Sequence, residues 1–386
     1  MSDSIKKIAI VTSTRADWGL LLPLVKRLSD NPSGERPTVI ATYMHLFPEM
    51  GDTISELVAD GFPPTMSVPA RMEAPEAVAD TVTGFSKAFR FLKPELVVVL
   101  GDRFEILGVA TAALLQRLPV AHIAGGTVSE GAYDNSIRNS ISQMASLHFP
   151  ETDKGRRRLI LIGADPETVV TAGALGVYNA LNTPLMEKEE LEASIGFELG
   201  YNFLLGTFHP ATVSAMKPGE QMQVWLDGLK MALDADPDLK ILLTFPNTDN
   251  EPNQLLSLMF TFASQYRERV KIVDSLGRIR YLSAASLASV VAGNSSSGIV
   301  EIPSLGVPVV NVGNRQKGRQ CSKAVIHTPL DAHKIADGIR QALKPSSKEL
   351  AEATPNPYFK EGTPDLIATK ILDFIAQNAK KSNTDR

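Results

Sequence analysis

Short apolar, β-rich runs alternate with longer amphipathic stretches along almost the whole chain, and this alternation restricts the fold more than any other feature. Strands that are apolar on both faces and separated by helices are typical of parallel sheets covered by helices on both sides. The pattern therefore predicts an α/β protein with two doubly wound domains and a cleft between them. The predicted strands are residues 8–12, 38–43, 96–100, 119–123, 203–208, 241–245, 270–273, 289–292 and 309–312.

A polar stretch, 179–199, separates the two series of strands, and we predict that it is weakly structured. The stretch 345–364 is rich in Pro, Ser and Glu, which predicts a linker, and the helical pattern of 365–376 follows it. The predicted parts of the chain are a first domain, a second domain, a linker with a final helix, and a disordered tail. Their bounds are residues 1–180, 181–350, 351–378 and 379–386.

Composition argues against several classes of partner and site. The net charge of −4 gives no electrostatic reason to expect nucleic acid or an acidic membrane as a partner. The single cysteine, Cys321, permits neither an internal disulfide nor a cysteine-rich metal site. No apolar run reaches the roughly 18 residues of a membrane span. We expect a cytoplasmic protein that binds neither nucleic acid nor membrane.

The clearest ligand signal is a serine run after the predicted strand 289–292. Gly293 and Asn294 end that strand, and Ser295–Ser297 open the next predicted helix. Backbone amides at a helix N-terminus, with hydroxyl groups beside them, bind phosphate well. A simple N-cap needs only one such residue, so three serines favour a diphosphate site. Glu301, one turn further on, is placed to accept hydrogen bonds from both hydroxyls of a ribose.

Polar side chains also follow several other predicted strands. In open parallel sheets ligands bind beyond the carboxyl ends of the strands, so these side chains are candidate binding groups. Each has a simpler interpretation as a helix cap, a surface ion pair, a structural histidine or a solvated cationic loop. The sequence contains neither a dinucleotide-binding glycine fingerprint nor a P-loop. The candidates are Arg15, His45, Asp102, Arg103, His209, Arg315 and Lys317.

Several motifs occur in an order that resembles a known family. From residue 12 to residue 319 they are TSTRADWG, MHLFPEMG, GDRFE, HIAGG, SIRNSI, LHF, TFHP, FPN and GNSSSGIVEIPSLGVPVVNVGNRQKGR. Together they resemble the hydrolysing UDP-N-acetylglucosamine 2-epimerases, including relatives that act on UDP-linked bacillosamine derivatives in sialic and legionaminic acid pathways. The resemblance implies a GT-B-type fold, a final helix that crosses back to the first domain, and a homodimer or homotetramer. It also implies a UDP-sugar substrate and no metal or redox cofactor.

The resemblance further implies a mechanism. Asp102 and Asp134 would be catalytic carboxylates, one of which removes the proton from carbon 2 of the sugar while UDP leaves the anomeric carbon. Cations and helix amides would hold the departing diphosphate. Water would then add to the glycal-like alkene and release the free 2-epimer.

The segment 121–141 departs from the family pattern. The family usually carries an acid at the position of Ala124 or Thr127, and a histidine at that of Asn139. Glu130 could supply a carboxylate from a new place, although a plain surface glutamate is the simpler interpretation. We predict catalysis by Asp102, Asp134, Glu130 and His209, and substrate contacts from Arg15, His45, Arg103, Arg138, Asn247, Asn294, Ser295, Ser296, Ser297, Glu301, Arg315 and Lys317.

These departures leave alternatives open. A relative with a changed reaction, either a non-hydrolysing epimerase or a nucleotide-sugar hydrolase, would keep the binding groups and lose an acid. A non-catalytic nucleotide-sugar binder would do the same. A GT-B glycosyltransferase is less favoured because nothing in the sequence marks an acceptor site. Tyr43 stands where the family commonly has glycine, which indicates a different sugar pocket.

Overall fold

Two six-stranded sheets organise the described part of the chain, and neighbouring strands within each sheet run parallel. Each sheet is the centre of one compact unit. Unit 1 contains the described residues up to Thr127, those from 134 to Tyr178 and those from Lys360 onward. Unit 2 contains Val128 and the described residues from Asn179 to Phe359. The computed structural model describes residues 8–30, 36–48, 51, 53–128, 134–211, 214–246 and 252–384.

The sheet of unit 1 has the strand order β3-β2-β1-β4-β5-β6, which is the order of a doubly wound Rossmann-like domain. Its central strands β1 and β4 are buried along their whole length because helices cover both faces. The strands are β1 (Ile8–Thr12), β2 (Thr38–Thr42), β3 (Met66–Val68), β4 (Leu96–Leu100), β5 (Val120–Ile123) and β6 (Leu147–Phe149).

Helices cover both faces of this sheet. On one face α1 packs against the last helix, α15, and leucines of α1 share a buried core with isoleucines of α15. On the other face α3 and α4 pack together over β4. The helices are α1 (Arg15–Ser29), α2 (Thr53–Ala59), α3 (Ala74–Leu92), α4 (Phe104–Leu115), α5 (Asp134–Met144), α6 (Asp153–Leu161), α7 (Leu175–Asn182), which runs past the unit boundary, and α15 (Thr363–Thr384).

The sheet of unit 2 repeats the arrangement with the order β12-β11-β10-β7-β8-β9. Its core lies between the sheet and the helices α9, α10 and α13. The strands are β7 (Phe203–Thr207), β8 (Lys240–Thr244), β9 (Val270–Val273), β10 (Val290–Gly293), β11 (Val309–Val312) and β12 (Val325–Thr328). The helices are α8 (Lys188–Ile195), α9 (Pro218–Ala235), α10 (Pro252–Gln265), α11 (Gly277–Leu287), α12 (Ser297–Val300), α13 (Ala332–Ala342) and α14 (Pro345–Ala353). Two doubly wound α/β domains confirm the predicted fold class.

Three segments are more ordered than predicted. The stretch 179–199, predicted to be weakly structured, contains α8, which ends at Gly196 in the left-handed conformation that suits a glycine. The predicted linker contains α14, whose first turn begins with Pro345, a residue well suited to that position. The backbone of α15 runs to Thr384, into the stretch predicted as a disordered tail. Local helix signals therefore outweigh the polar composition of these segments.

Candidate functional site

The end of β1 in unit 1 carries a buried hydrogen-bond network. The Ser13 hydroxyl donates to Asp17 Oδ2 at 2.6 Å, and the Asp17 amide donates to Thr14 Oγ1 at 3.2 Å, which caps α1. Arg15, the predicted substrate contact of this segment, is half-exposed and lies 3.8 Å from Glu56. The polar groups that cap α1 therefore hydrogen-bond to one another, and the Arg15 side chain points outward from them.

His45, another predicted substrate contact, is buried. Its Nε2 lies 3.0 Å from Thr12 Oγ1 and its Nδ1 lies 2.9 Å from Thr53 Oγ1. Burial lowers the pKa of His45 to about 4, against a smaller upward effect from Asp17, so the imidazole is neutral near pH 7. Since both ring nitrogens already have protein partners, this geometry favours a structural role over ligand contact.

The end of β4 brings two oppositely charged pairs together. Asp102 forms an ion pair with Arg138 of α5, and the Arg138 side chain is 3% exposed while that of Asp102 is 23% exposed. Arg103 donates through Nε to Glu105 Oε1 at 2.5 Å, and Glu105 is fully buried. Each of the two charged groups that leave the sheet here is thus held by a buried partner.

Arg138 ties three segments of unit 1 together. Besides Asp102, its guanidinium donates to the Thr127 carbonyl at 2.7 Å and to Asn135 Oδ1 at 3.1 Å. It therefore connects the end of β4, the loop after β5 and the first turn of α5. Asp134, a predicted catalytic carboxylate, begins that same helix. The predicted residue Glu130 lies outside the described residues.

The loop after β5 makes a sharp turn through left-handed conformations. Ala124 has φ 64° and Gly126 has φ 75°. A Cβ atom at Gly126 would lie 2.4 Å from the Gly155 carbonyl oxygen, so only glycine fits the turn at that position. The loop thus places Ala124 and Thr127, the two positions at which the family resemblance implies an acid at one or both, at the carboxyl edge of the sheet.

His122 of β5 lies behind this edge. Its Nε2 is 2.8 Å from the Gly101 carbonyl oxygen, and its Nδ1 is 3.0 Å from Ser142 Oγ. Complete burial lowers the pKa of His122 to about 4, so the ring is neutral and acts as a bridge rather than as a charge. It fixes the backbone immediately before Asp102.

In unit 2 the end of β10 approaches the end of β7 very closely. Gly293 has φ 132°, and a Cβ atom there would lie 1.9 Å from the Thr207 carbonyl oxygen. The next residue, Asn294, is buried and pairs with the backbone of His209 in both directions, accepting from its amide at 2.7 Å and donating to its carbonyl at 2.8 Å. This glycine therefore brings Asn294, a predicted substrate contact, against His209, a predicted catalytic residue.

The cationic loop after β11 is attached to the same point. The carbonyl oxygen of Asn294 accepts hydrogen bonds from Arg315 Nη1 at 3.1 Å and from Gln316 Nε2 at 2.9 Å. Burial lowers the pKa of His209 to about 3, and the nearby Arg315 charge adds to this effect. His209 is therefore a neutral hydrogen-bonding group near pH 7. Lys317 lies in the same loop, and its amide donates to the Asn314 carbonyl.

The serine run differs from the prediction in one respect. The helix that it opens, α12, has a single turn, Ser297–Val300, and Glu301 is the residue that ends it. The amide of Ser297 donates to Ser295 Oγ at 3.4 Å. A one-turn helix has a weaker dipole than the predicted longer helix, so hydroxyl and amide groups must account for more of any phosphate binding. Asn247, also predicted here, lies outside the described residues.

Sequence reasoning missed three buried groups and one partly buried group beside these residues. Glu105 follows Arg103 by two positions in GDRFE, and Gln316 follows Arg315 directly, so adjacency to a candidate cation could have indicated both. Ser142 and Tyr281 carry no local signal because their contacts come from elements distant in sequence. Burial raises the pKa of Tyr281 to about 12, and the neighbouring Glu301 charge adds to the rise. Tyr281 is therefore an uncharged group beside the predicted ribose contact.

Two further features concern the described residues only. Nowhere in them do three His, Cys, Asp or Glu side chains come together in a way that could hold a metal ion. The histidines at the sheet edge of unit 1 instead hydrogen-bond to hydroxyl and carbonyl groups. Across the same part of the chain, each helix is too short or too polar to cross a bilayer.

Known proteins resemble this chain in both sequence and fold. Residues 27–372 match the model of the family described as UDP-N-acetylglucosamine 2-epimerase. A Campylobacter jejuni protein named GDP/UDP-N,N'-diacetylbacillosamine 2-epimerase (hydrolyzing) is 33% identical over 84% of this chain and 85% of its own length. A Legionella pneumophila protein named UDP-N,N'-diacetylbacillosamine 2-epimerase (hydrolyzing) is 31% identical over 89% of this chain and 91% of its own length.

The fold agrees with a solved structure of the same kind. The UDP-GlcNAc 2-epimerase from Neisseria meningitidis, in a structure with UDP-GlcNAc bound, aligns over 95% of this chain and 99% of its own with a TM-score of 0.79. At 17% identity this similarity carries the fold alone. It confirms the predicted GT-B class with its two Rossmann-like domains.

Proposed function

Because the chain belongs to the UDP-N-acetylglucosamine 2-epimerase family, we propose that it is a hydrolysing 2-epimerase of a UDP-activated N-acetylamino sugar. The products are UDP and the free 2-epimer. Two relatives, 33% and 31% identical over 84% and 89% of this chain, are named as hydrolysing 2-epimerases, which supports this reaction type. Their names also support N,N'-diacetylbacillosamine as the sugar, with N-acetylglucosamine as the second candidate.

One observation carries the proposal furthest: the buried Arg138 guanidinium on the Asp102 carboxylate. The buried cation fixes the position of the Asp102 carboxylate, while part of that carboxylate remains exposed. A general base must be held within hydrogen-bonding distance of the proton that it removes, so a fixed and accessible carboxylate meets the geometric requirement. The position of Asp102 at the carboxyl end of a central parallel strand is where α/β enzymes hold such groups.

The reaction balances without an external oxidant or reductant. A carboxylate takes the proton from carbon 2, the electrons of that C–H bond form a double bond between carbons 1 and 2, and the bond to UDP breaks with its electron pair. Water then gives a hydroxyl group to carbon 1 and a proton to the opposite face of carbon 2. We assign the two proton transfers to Asp102 and Asp134.

The residues of unit 2 are assigned to the nucleotide. Ser295, Ser296 and their neighbouring amides bind the diphosphate, and Glu301 accepts hydrogen bonds from the ribose hydroxyls. The neutral His209, held against Asn294, donates a hydrogen bond without adding charge. Arg315 and Lys317 supply positive charge to the departing diphosphate. These assignments are supported by the attachment of the cationic loop to Asn294, directly before the serines.

A nucleotide-sugar hydrolase that does not invert carbon 2, or a non-catalytic binder, is the second candidate. Ala124 and Thr127 favour it, because the family usually supplies an acid at one of these positions. A hydrolase needs water at the anomeric carbon but no base for carbon 2, and a binder needs neither. Under the 2-epimerase proposal two carboxylates do the work of three, and we expect turnover to be slow.

Product analysis separates these functions. Purified protein is incubated with a panel of UDP-, GDP- and CMP-linked N-acetylamino sugars, and the products are followed by NMR. The proposal predicts that a free 2-epimer and UDP accumulate together from at least one UDP-sugar. A free sugar of unchanged configuration would support the hydrolase, a UDP-linked epimer would support a non-hydrolysing enzyme, and binding of UDP without products would support the binder.

A further inference from the structure

We propose that Glu105 is a positioning residue that holds the Arg103 guanidinium in place for an anionic diphosphate. The inference rests on the proposed function and on the predicted contact between Arg103 and the nucleotide-sugar substrate. Glu105 comes from the first turn of α4, two residues after Arg103, and its side chain is fully buried. A fully buried glutamate cannot contact a ligand directly, so Glu105 would act only through Arg103.

The contact between the two residues uses only one edge of the guanidinium. Glu105 Oε1 accepts from Arg103 Nε at 2.5 Å. The other carboxylate oxygen, Oε2, is buried and has no hydrogen-bond partner among the described residues. An arginine–carboxylate pair that served only mutual stability would be expected to use two parallel hydrogen bonds. Here the remaining N–H groups of Arg103 stay free of the glutamate.

Two aromatic rings lie beside the same guanidinium. The Arg103 Cζ atom lies 5.6 Å from the centre of the Tyr43 ring and 5.9 Å from that of Phe104. These distances are within the range of cation–π attraction. Tyr43 is itself fixed, because its hydroxyl donates to the Met72 carbonyl at 2.8 Å and its ring packs edge-on against Phe104.

The backbone of Tyr43 is strained to hold that ring. Its φ is 51°, a left-handed value that a non-glycine residue of this size adopts only where its surroundings enforce it. Such strain is commonly retained where a side chain must be aimed at a functional site. The strain, the ring contact and the buried carboxylate all act on one group, the Arg103 guanidinium.

The outer edge of Arg103 is left for a ligand. Nη2 has a weak contact with the Met44 sulfur at 4.0 Å, and within the described residues Nη1 has no hydrogen-bond partner. The side chain is 33% exposed. A guanidinium that is held through Nε and by contact with two aromatic rings presents its two Nη groups in the fork geometry that matches phosphate oxygens.

A double-mutant cycle on UDP binding tests the proposal. We expect Glu105→Gln to weaken UDP affinity, measured by calorimetry, by about 3- to 10-fold, because the freed arginine must be ordered on binding. In an Arg103→Gln background the same change should have an effect of less than about twofold. Asp337→Asn, which removes the charge from an exposed arginine pair in unit 2, is the matched control and should leave affinity unchanged.

Two outcomes overturn the inference: an unchanged affinity in Glu105→Gln, or an equal loss in both backgrounds, which would indicate a structural role independent of Arg103. If Glu105→Gln does not fold by circular dichroism, Glu105→Asp keeps the charge, retracts it by one carbon and is carried through the same cycle. Failure of the proposed function is distinguishable. If the protein releases no 2-epimer but the variants show the coupled loss of UDP affinity, the 2-epimerase proposal is wrong and the positioning of Arg103 by Glu105 is supported. If the wild-type protein binds no UDP, both proposals are contradicted.

Discussion

At the scale of single residues, chemistry depends on charges that buried partners hold in place. Asp102 illustrates this, because its carboxylate is positioned by Arg138 while part of it remains accessible. Arg138 in turn is satisfied by a carbonyl, an amide and the carboxylate. Removing the charge of Asp102 therefore affects both the proposed base and the cation that holds it.

We expect Asp102→Asn to reduce the rate of UDP release by at least about 10²-fold, the lower range for loss of a general base. UDP affinity should stay within about twofold, because the nucleotide contacts assigned above do not include Asp102. Initial rates and calorimetry measure the two effects. A thermal melt of the variant serves as the control, since an uncompensated Arg138 also lowers stability. Equal losses in rate and affinity would contradict the assignment.

The serine run is tested by replacing Ser295 and Ser296 with alanine together. Removing the two serine hydroxyls that would hydrogen-bond to the charged diphosphate should weaken UDP binding by about 1–3 kcal/mol. Ser286→Ala, in α11 of the same unit, removes a hydroxyl that bonds only to a helix carbonyl and is the matched control. An affinity that equals the wild-type value by calorimetry would rule out this position for the diphosphate.

The altered loop is tested by restoring the family pattern. Ala124→Glu combined with Asn139→His should raise 2-epimerase activity on UDP-N-acetylglucosamine if the loop has only drifted, since an added acid can supply about 10²-fold or more. The left-handed φ at Ala124 is already tolerated by a residue with a Cβ, so the glutamate needs no new backbone conformation. Glu130→Gln in the wild-type background tests the substitute acid. If neither Ala124→Glu with Asn139→His nor Glu130→Gln changes the rate of 2-epimer release, the residues of this loop take no part in the mechanism.

At the scale of elements, the meeting of β10 and β7 depends on one glycine. Gly293→Ala would place a Cβ atom 1.9 Å from the Thr207 carbonyl oxygen, at a φ of 132°. Gly163, with φ 107° and open space around it, is the matched control, because alanine there has the backbone strain without the clash.

We expect Gly163→Ala to lower the free energy of unfolding by about 1 kcal/mol, and Gly293→Ala by about 3 kcal/mol or more. Denaturant unfolding curves measure the difference between the two variants. Gly293→Ala should also weaken UDP binding, because the hydrogen-bonded pair of Asn294 and His209 lies next to the contact between Gly293 and Thr207. Equal destabilisation by the two variants would show that the backbone at Gly293 and Thr207 can move apart to make room for a Cβ atom.

The elements also show what sequence could and could not predict. Apolar strands such as β1, β4 and β11 were predicted with their observed bounds, because burial on both faces produces continuous apolar runs. The edge strands β3, β6 and β12 were missed, since β3 and β6 have only three residues each and β12 is buried at only two of its four positions.

The site follows the same rule. Candidate cations and carboxylates could be found because they follow predicted strands, but their partners could not. Thr12 and Thr53, which occupy both nitrogens of His45, are brought together only by the fold. The same holds for Asp102 and Arg138. Sequence therefore predicts which groups reach the edge of a sheet, while tertiary contacts decide which of them remain available to a ligand.

At the scale of the whole molecule, four imidazoles make stability depend on pH. Burial lowers the pKa of His45, His122 and His148 to about 4 and that of His209 to about 3. In the unfolded chain each has a pKa near 6.5, so below that pH the unfolded state binds protons that the folded state does not. Stability is therefore full above about pH 7 and falls as the pH decreases towards 4.

At pH 5 we expect each of these imidazoles to reduce the free energy of unfolding by about 2 kcal/mol relative to pH 7.5. Denaturant unfolding at the two pH values measures the sum. His148→Gln, which replaces a ring with a buried Nδ1 that has no hydrogen-bond partner among the described residues, should remove about a quarter of the dependence. A stability that is constant between these pH values would mean that the four rings are protonated, or exposed, in the folded protein.

The central claim, that carbon 2 loses its proton as UDP departs, is tested most directly by turnover in D₂O. The protein is incubated with UDP-N,N'-diacetylbacillosamine and, separately, with UDP-N-acetylglucosamine, and the free sugar is examined by NMR and mass spectrometry. The account predicts that every released molecule has inverted carbon 2 and carries one deuterium there, in step with UDP. A released sugar that keeps its original proton and configuration at carbon 2 would contradict it.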